Sequence, residues 1–359
     1  MKTFALVMAA ALALSAPARA QVNIYIAGAV SLKDVAFNSI TAFYGANLVS
    51  LNDDKPSKPT TANRLTFTGQ MTSLFGSQTV NVYCNYNGGS GPAIQSLTQD
   101  TPISFFASAV QGATNLLNAP ADIAFSVVFQ KDYPYPTPVL SDTIYGATPS
   151  ILVKSPLAPR NLTNLTSQNI RLLQADGAAP QSIFTASAAD TNLLYWVMRD
   201  IGAAHRIIVS KEAGFTGSAL AYVYSTNLNA WVLDPTGQTS WPVVINQLTN
   251  SYGPCVSFIT PPDAPSIQPE NILSFNGQFP FNGTFSTVSN DFTPVITGKY
   301  TCWGFEHILT KPNPAPDVAA FSNALIAAMK TNILTSPYSV PLSRMAVTRN
   351  ATGGLVSPQ

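Results

Sequence analysis

Two stretches of this chain follow one grammar: a short β-branched run, a tight turn of small residues, and at once a helix. Residues 23–29 (NIYIAGA) read as the first strand, ending in Gly28-Ala29, with Ser31 and the amphipathic stretch 32–44 directly behind it. Residues 80–86 (VNVYCNY) read as the second strand, 87–91 (NGGSG) as its turn, and 93–97 as the start of its helix. A third run, 121–129 (ADIAFSVVF), is apolar enough to be covered on both faces, as strands of a parallel sheet are. Strands that alternate with helices predict an α/β architecture rather than a sandwich. Each of the two turns sets a small hydroxyl residue, Ser31 or Ser90, between strand and helix. Backbone N–H groups and the dipole at a helix start favour an anion at such a place, although a serine there serves equally as a helix cap.

The remaining chain continues the alternation. Residues 52–63 (NDDKPSKPTTAN) and 133–138 are polar or Pro-rich and read as loops. Strands are expected over 150–154, 206–210, 219–224, 255–260 and 299–308, and helices over 165–173, 192–201, 242–250 and 317–333. No internal repeat of fixed period is visible, and four Asn-x-Ser/Thr sites (Asn161, Asn164, Asn282, Asn350) suggest surface loops.

Composition narrows the function classes. Only 10% of the 359 residues are charged, 18 basic against 17 acidic. High net charge with low hydrophobicity, the mark of disorder, is absent, and no basic excess is left to neutralise nucleic-acid phosphates. The first twenty residues read as an export signal: Lys2, then an apolar run from Phe4 to Leu14, then Ala18-Arg19-Ala20 before a cleavage point. The mature chain is expected to start near Gln21, soluble and periplasmic. Three widely spaced cysteines (Cys84, Cys255, Cys302) imply no disulfide framework. With no CxxC and two histidines, no metal site and no cofactor are expected. A serine hydrolase acting through Ser31 or Ser90 would need a histidine held by a carboxylate, and no GxSxG is present; His307 lies in an aromatic strand where a core or edge role fits best.

Taken together, several motifs in order resemble the phosphate-binding periplasmic proteins of ABC importers. They are GAVSLKD near the start, GGSGPAIQSL in the second turn, ADIAFSVVF, NLTSQNIRLLQADG, ENILSFNG and GKYTCWGFEH, spanning roughly residues 23–332. The resemblance implies a type II periplasmic-binding-protein fold: two α/β domains, 22–148 plus 266–359 and 149–265, hinged around a ligand cleft. It also implies a monomer that acts by binding, not catalysis. Carried over residue by residue, the family's anion contacts fall on Ser31, on the backbone of Leu32, on Ser90 and on Arg199. Its acidic residue after the third strand falls on Val127, and its Ser-Gly-Thr falls on Ala203, Ala204 and His205. Two hydroxyl donors are thereby lost, which weakens phosphate by roughly 3 to 6 kcal/mol. His205 is expected to replace one of them, as a stronger donor below its ordinary pKa near 6.5, so that anion affinity rises between pH 8 and 6.

The function expected from these readings is capture of a small anionic solute for an ABC importer. Two alternatives stand beside it. One is an extracellular interaction or scavenging protein on the same fold, suggested by the aromatic residues Tyr133, Tyr135, Trp231 and Trp241. The other is the exported serine hydrolase.

Overall fold

A computed structural model describes residues 21–359, and the export signal expected over 1–20 lies outside the described residues. The chain builds two principal sheets. The first takes β1 (Val22–Gly28), β2 (Leu48–Asp53), β3 (Arg64–Gln70), β4 (Thr79–Asn85), β5 (Ile123–Ser126) and β6 (Ser141–Pro149). The second takes β7 (Ile151–Lys154), β8 (Asn164–Leu165), β9 (Ala178–Pro180), β10 (Leu193–Trp196), β11 (Cys255–Ile259) and β12 (Ile272–Phe275). The chain then returns to the first sheet with β13 (Trp303–Thr310) and β14 (Val340–Pro341). The strand orders are β14-β6-β13-β5-β1-β4-β3-β2 and β8-β12-β7-β11-β10-β9. The helices used below are α1 (Lys33–Tyr44), α2 (Ser90–Gln99), α3 (Ser167–Asp176), α4 (Ala204–Glu212), α5 (Trp241–Thr249) and α6 (Pro316–Asn332).

Strand β1 runs parallel to both neighbours, β4 and β5. Parallel strands with both faces covered need continuous apolar runs, and Ile24, Ile26, Ile123, Ala124 and Phe125 are fully buried. The parallel register carries the ends of β1 and β4 to the same edge of the sheet, so both anion-type turns open on one side. The chain passes to the second sheet through the single residue Ser150 between β6 and β7. It comes back between β12 and β13. The return expected near 266 falls later, because β12 pairs antiparallel with β7 and stays in the second sheet.

Two elements differ from the expectation. Residues 192–201 contain a strand, β10, which pairs parallel with β11. Residues 206–210 (RIIVS) lie in helix α4. Ile207, Ile208 and Val209 favour a strand locally, but Ala204, His205, Arg206, Ile208 and Val209 are the buried set. That spacing is helical, and packing decides. The loop expected over 52–63 is a connection only from 54, because Asn52 and Asp53 close β2; it joins two antiparallel strands, β2 and β3, that the sequence reading did not include. All three cysteines are buried and free.

Helix α4 is gripped at its far end by residues near the C-terminus. Lys211 pairs with Asp132 and Arg349 with Glu212, and Thr352 donates to Asp132 at 2.6 Å. The Arg349 guanidinium also lies 3.8 Å from the Trp303 ring centre and donates to the Thr301 carbonyl at 2.7 Å. Its side chain is 1% exposed and that of Glu212 is 8%. Burial pushes the Glu212 carboxyl up from its ordinary pKa, and Arg349 opposes that shift. Removing one partner of a pair this buried strands the other charge, at a cost of about 3–5 kcal/mol. Arg349→Met is therefore expected to lower the unfolding free energy by about that amount in urea titrations; a loss within error of zero would show that the pair is not a structural tie.

Candidate ligand cleft between the two sheets

Both turns of the first sheet reach the cleft because glycine permits the backbone to do so. Gly28 closes β1 with φ +140°, and a Cβ there would stand 2.2 Å from the Phe125 carbonyl oxygen. Any other residue would push β1 off β5. The chain then makes a 3-10 turn, Val30–Leu32, and enters α1. Gly89, at φ +70°, turns the end of β4 into α2, whose first residue is Ser90. From the second sheet, Arg199 follows β10 and is fixed by a parallel bridge to Gln238. Ala203 then caps α4, which places His205 in its first turn.

These segments enclose an inner cavity. Ala29, Val30, Gly89, Ser90 and Val127 form one wall, and Arg199, Ala203, Ala204, His205 and Trp241 form the other. Its volume is about 20 Å³, room for about one water. Of the residues singled out by sequence, the cavity gathers Ser90, Arg199, Ala203 and His205, together with Val127. Ser31 and Leu32 stand behind the wall, where Val30 takes their place. Ser31 is buried with its hydroxyl oxygen lacking a protein partner, and the Leu32 N–H is turned back to the Ala29 carbonyl at 3.4 Å. Tyr133 and Trp241, read as surface aromatics, are buried at 7% and 5% exposure. Tyr133 donates to the Gly202 carbonyl at 3.0 Å, across the cleft.

Arg199 is largely committed. Its Nε donates to the Gln238 carbonyl at 3.0 Å, its Nη2 to Asp200 at 3.0 Å and to the Thr239 carbonyl at 3.2 Å. The guanidinium carbon sits 4.9 Å from the Trp241 ring centre, a cation–π distance. Nη1 has no acceptor among the described residues. The neighbouring Arg206 is a staple: it donates to the carbonyls of Arg199, Thr236, Ala219 and Pro235.

An outer pocket adjoins the cavity and shares Val30, Arg199 and Trp241 with it. Its volume is about 50 Å³. Lys33, Lys55, Asn63, Tyr86 and Asn87 line one side; Ser240, Pro242, Thr260, Pro262 and Asp263 line the other. Sequence reasoning missed these residues. Lys33 lies two positions after Ser31 in the GAVSLKD motif, where the charge was legible but its direction was not.

A search of protein-family models returns no match, nor does a search of curated proteins. Solved structures do match. An ABC-type phosphate transport receptor from Vibrio cholerae superposes with a TM-score of 0.51 at 14% identity, covering 88% of this chain and 98% of the receptor. A protein assigned as a phosphate ABC transporter substrate-binding protein, with bound phosphate, from Clostridium perfringens gives 0.52 at 12% identity, covering 89% and 99%. The fold is that of a type II periplasmic-binding protein. At these identities the likeness is one of architecture. Among the described residues, no helix of this binding-protein fold is long and apolar enough to cross a membrane.

Within this periplasmic-binding-protein cleft, His205 does not play the role expected of it. Its Nδ1 lies 2.8 Å from Ser150 Oγ, and its Nε2 is buried with no protein partner. Burial, and then the nearby Arg199 charge, lower its pKa from 6.5 to about 3. The ring stays neutral from pH 8 to 6, and the expected rise in anion affinity over that range has no charged histidine to drive it. If Ser150 donates to Nδ1, the neutral tautomer presents Nε2–H to the cavity. Among the described residues, no carboxylate orients His205. His307 does have Asp142 at Nδ1, 2.9 Å away, but its Nε2 has no serine partner among the described residues.

The His205 shift is also a statement about stability. Below pH 6.5 the unfolded chain takes a proton that the folded chain refuses until about pH 3, so stability falls as pH drops through that window. Between pH 7 and 4.5 this group alone removes about 2 to 3 kcal/mol. His205→Gln is expected to lose less stability than wild type over that interval in denaturant titrations. Parallel acid limbs for the two proteins would contradict the neutral, buried histidine.

Proposed function

We propose that this chain is an exported periplasmic binding protein that captures a small anionic solute between its two sheets and delivers it to an ABC importer, with no chemistry of its own. One observation carries the reading. Lys33 and Lys55 from the first sheet's side and Arg199 from the second converge on one cleft, in a chain whose formal charge is +1 overall. Asp263 lines the same cleft, but the cations outnumber it three to one, and a cleft with an excess of one sign focuses the field and draws in ions of the other. Ser90 Oγ and His205 Nε2, both buried without a partner among the described residues, add neutral donors beside Arg199 in the adjoining inner cavity. The transport half of the proposal rests on the architecture shared with the two phosphate-transport proteins. We assign the two lobes to the two sheets, with the crossings at Ser150 and between β12 and β13 as the hinge, and take the working form to be a monomer.

A second reading keeps the fold and drops transport. It draws on the contacts that shut the inner cavity, where the Gly91 N–H donates to the Gly202 carbonyl at 3.3 Å and Tyr133 reaches the same oxygen. A cleft closed by its own backbone suits a protein that scavenges or docks.

Calorimetry of the mature chain against inorganic phosphate, sulfate, organic phosphates, carboxylates and a neutral sugar tests the first reading. At least one anion is expected to bind at one site per chain, more weakly as salt rises. Arg199→Ala is expected to weaken that binding by about 10- to 100-fold, the range for a hydrogen bond to a charged group. Binding of the neutral sugar alone, or of nothing, would overturn the anion-binding claim.

A further inference from the structure

The inner cavity is small, apolar on most of its surface and lined by one arginine already paired with Asp200. The outer pocket shares that arginine but is larger and more polar. Lys33 Nζ donates to the Thr61 carbonyl at 2.7 Å and to Asn63 Oδ1 at 3.1 Å. An ammonium has three donors, so one N–H is uncommitted among the described residues. Across the pocket, one Asp263 oxygen accepts from the Thr260 hydroxyl and the other has no donor among the described residues. Neither Lys33 nor Lys55 forms an ion pair with Asp263 or with any other described acid. Asp263 nonetheless feels Lys33, Arg199 and Lys55 through space. Cations thus face a carboxyl over a gap that no protein group bridges.

A bare anion fills half of such a gap. It satisfies Lys33, Lys55 and the free Nη1 of Arg199, but it leaves the carboxyl facing more negative charge. A ligand that joins an oxyanion to a hydroxyl satisfies both sides, the hydroxyl donating to Asp263. The rest of the lining fits a hydroxylated body, since Asn87 and Ser240 offer an amide and a hydroxyl. Three cations against one open carboxyl favour a dianionic head over a single carboxylate.

Resting on the anion-binding reading above, we infer that the ligand's charged head sits in the outer pocket on Lys33, Lys55 and Arg199, and that the ligand is a phosphate monoester of a small polyol whose hydroxyl donates to Asp263. The state of Lys33 agrees with this placement. Burial lowers its pKa from 10.5 to about 8, opposed first by Asp263. A bound phosphate would relieve that penalty.

Calorimetry with glycerol 3-phosphate, inorganic phosphate and glycerol tests the inference, on wild type and on Lys33→Met, Asp263→Asn and the exposed Lys55→Ala. Glycerol 3-phosphate is expected to bind at least about tenfold more tightly than inorganic phosphate, one hydrogen bond's worth of discrimination, and glycerol not to bind. Lys33→Met is expected to weaken glycerol 3-phosphate by about 10- to 100-fold. Asp263→Asn should shrink its advantage over inorganic phosphate, and Lys55→Ala, which disturbs no packing, should weaken both phosphates together. Inorganic phosphate binding as tightly as the ester, with both lysine variants silent, overturns this inference and leaves the anion-binding reading standing. Failure of every anion in the wider panel overturns both.

Discussion

Ser150 ties the two sheets together with every polar group it has. Its N–H donates to the Cys302 carbonyl at 2.9 Å, its own carbonyl accepts the Tyr300 hydroxyl, and its Oγ meets His205 Nδ1 at 2.8 Å. The residue is the whole of the first crossing, and Tyr300 and Cys302 belong to the second. One buried serine therefore pins both crossings side by side and anchors the start of α4 to them. That anchorage sets how α4 meets the turns after β1 and β4. The inner cavity, the Trp241 wall and the outer pocket all follow from it.

Scarce charge makes each ionic group in this molecule informative. Several serve architecture: Arg206 closes loops by donating to carbonyls, and the Lys211–Asp132 and Arg349–Glu212 pairs clasp α4 to segments outside it. Lys33 also donates to a carbonyl, that of Thr61, but neither it nor Lys55 nor Asp263 makes an ion pair among the described residues. Lys33 and Asp263 are half-buried, and ionic groups left unpaired at that burial are costly to hold. The ligand proposed above would bridge them, in a chain that otherwise avoids charge.

Much of the architecture was legible because its signals are local. Gly28 and Gly89 announce turns that only glycine makes, and the apolar runs on either side of them announce buried parallel strands. Residues 206–210 were misread because their β-branched side chains argue for a strand, whereas burial of Ala204, His205, Ile208 and Val209 is a property of the finished packing. The site divides in the same way. Ser90, Arg199, Ala203 and His205, expected from their order along the chain, lie near element boundaries and line one cavity. The positions of Ser31 and Leu32 behind Val30, the neutrality of His205 and the approach of Lys33 to Asp263 depend on how two sheets far apart in sequence face each other. No spacing within the chain encodes that.

The proposed anion is held between the two sheets by Lys33 and Arg199. A crystal structure of the mature protein soaked or grown with glycerol 3-phosphate tests this most directly. The account predicts the phosphate group within about 2.7–2.9 Å of Lys33 Nζ and of the Arg199 guanidinium, the distances of charge-assisted hydrogen bonds, with a hydroxyl against Asp263. A phosphate seated instead beside Ser90 and His205, with Lys33 still bound only to Thr61 and Asn63, would contradict it.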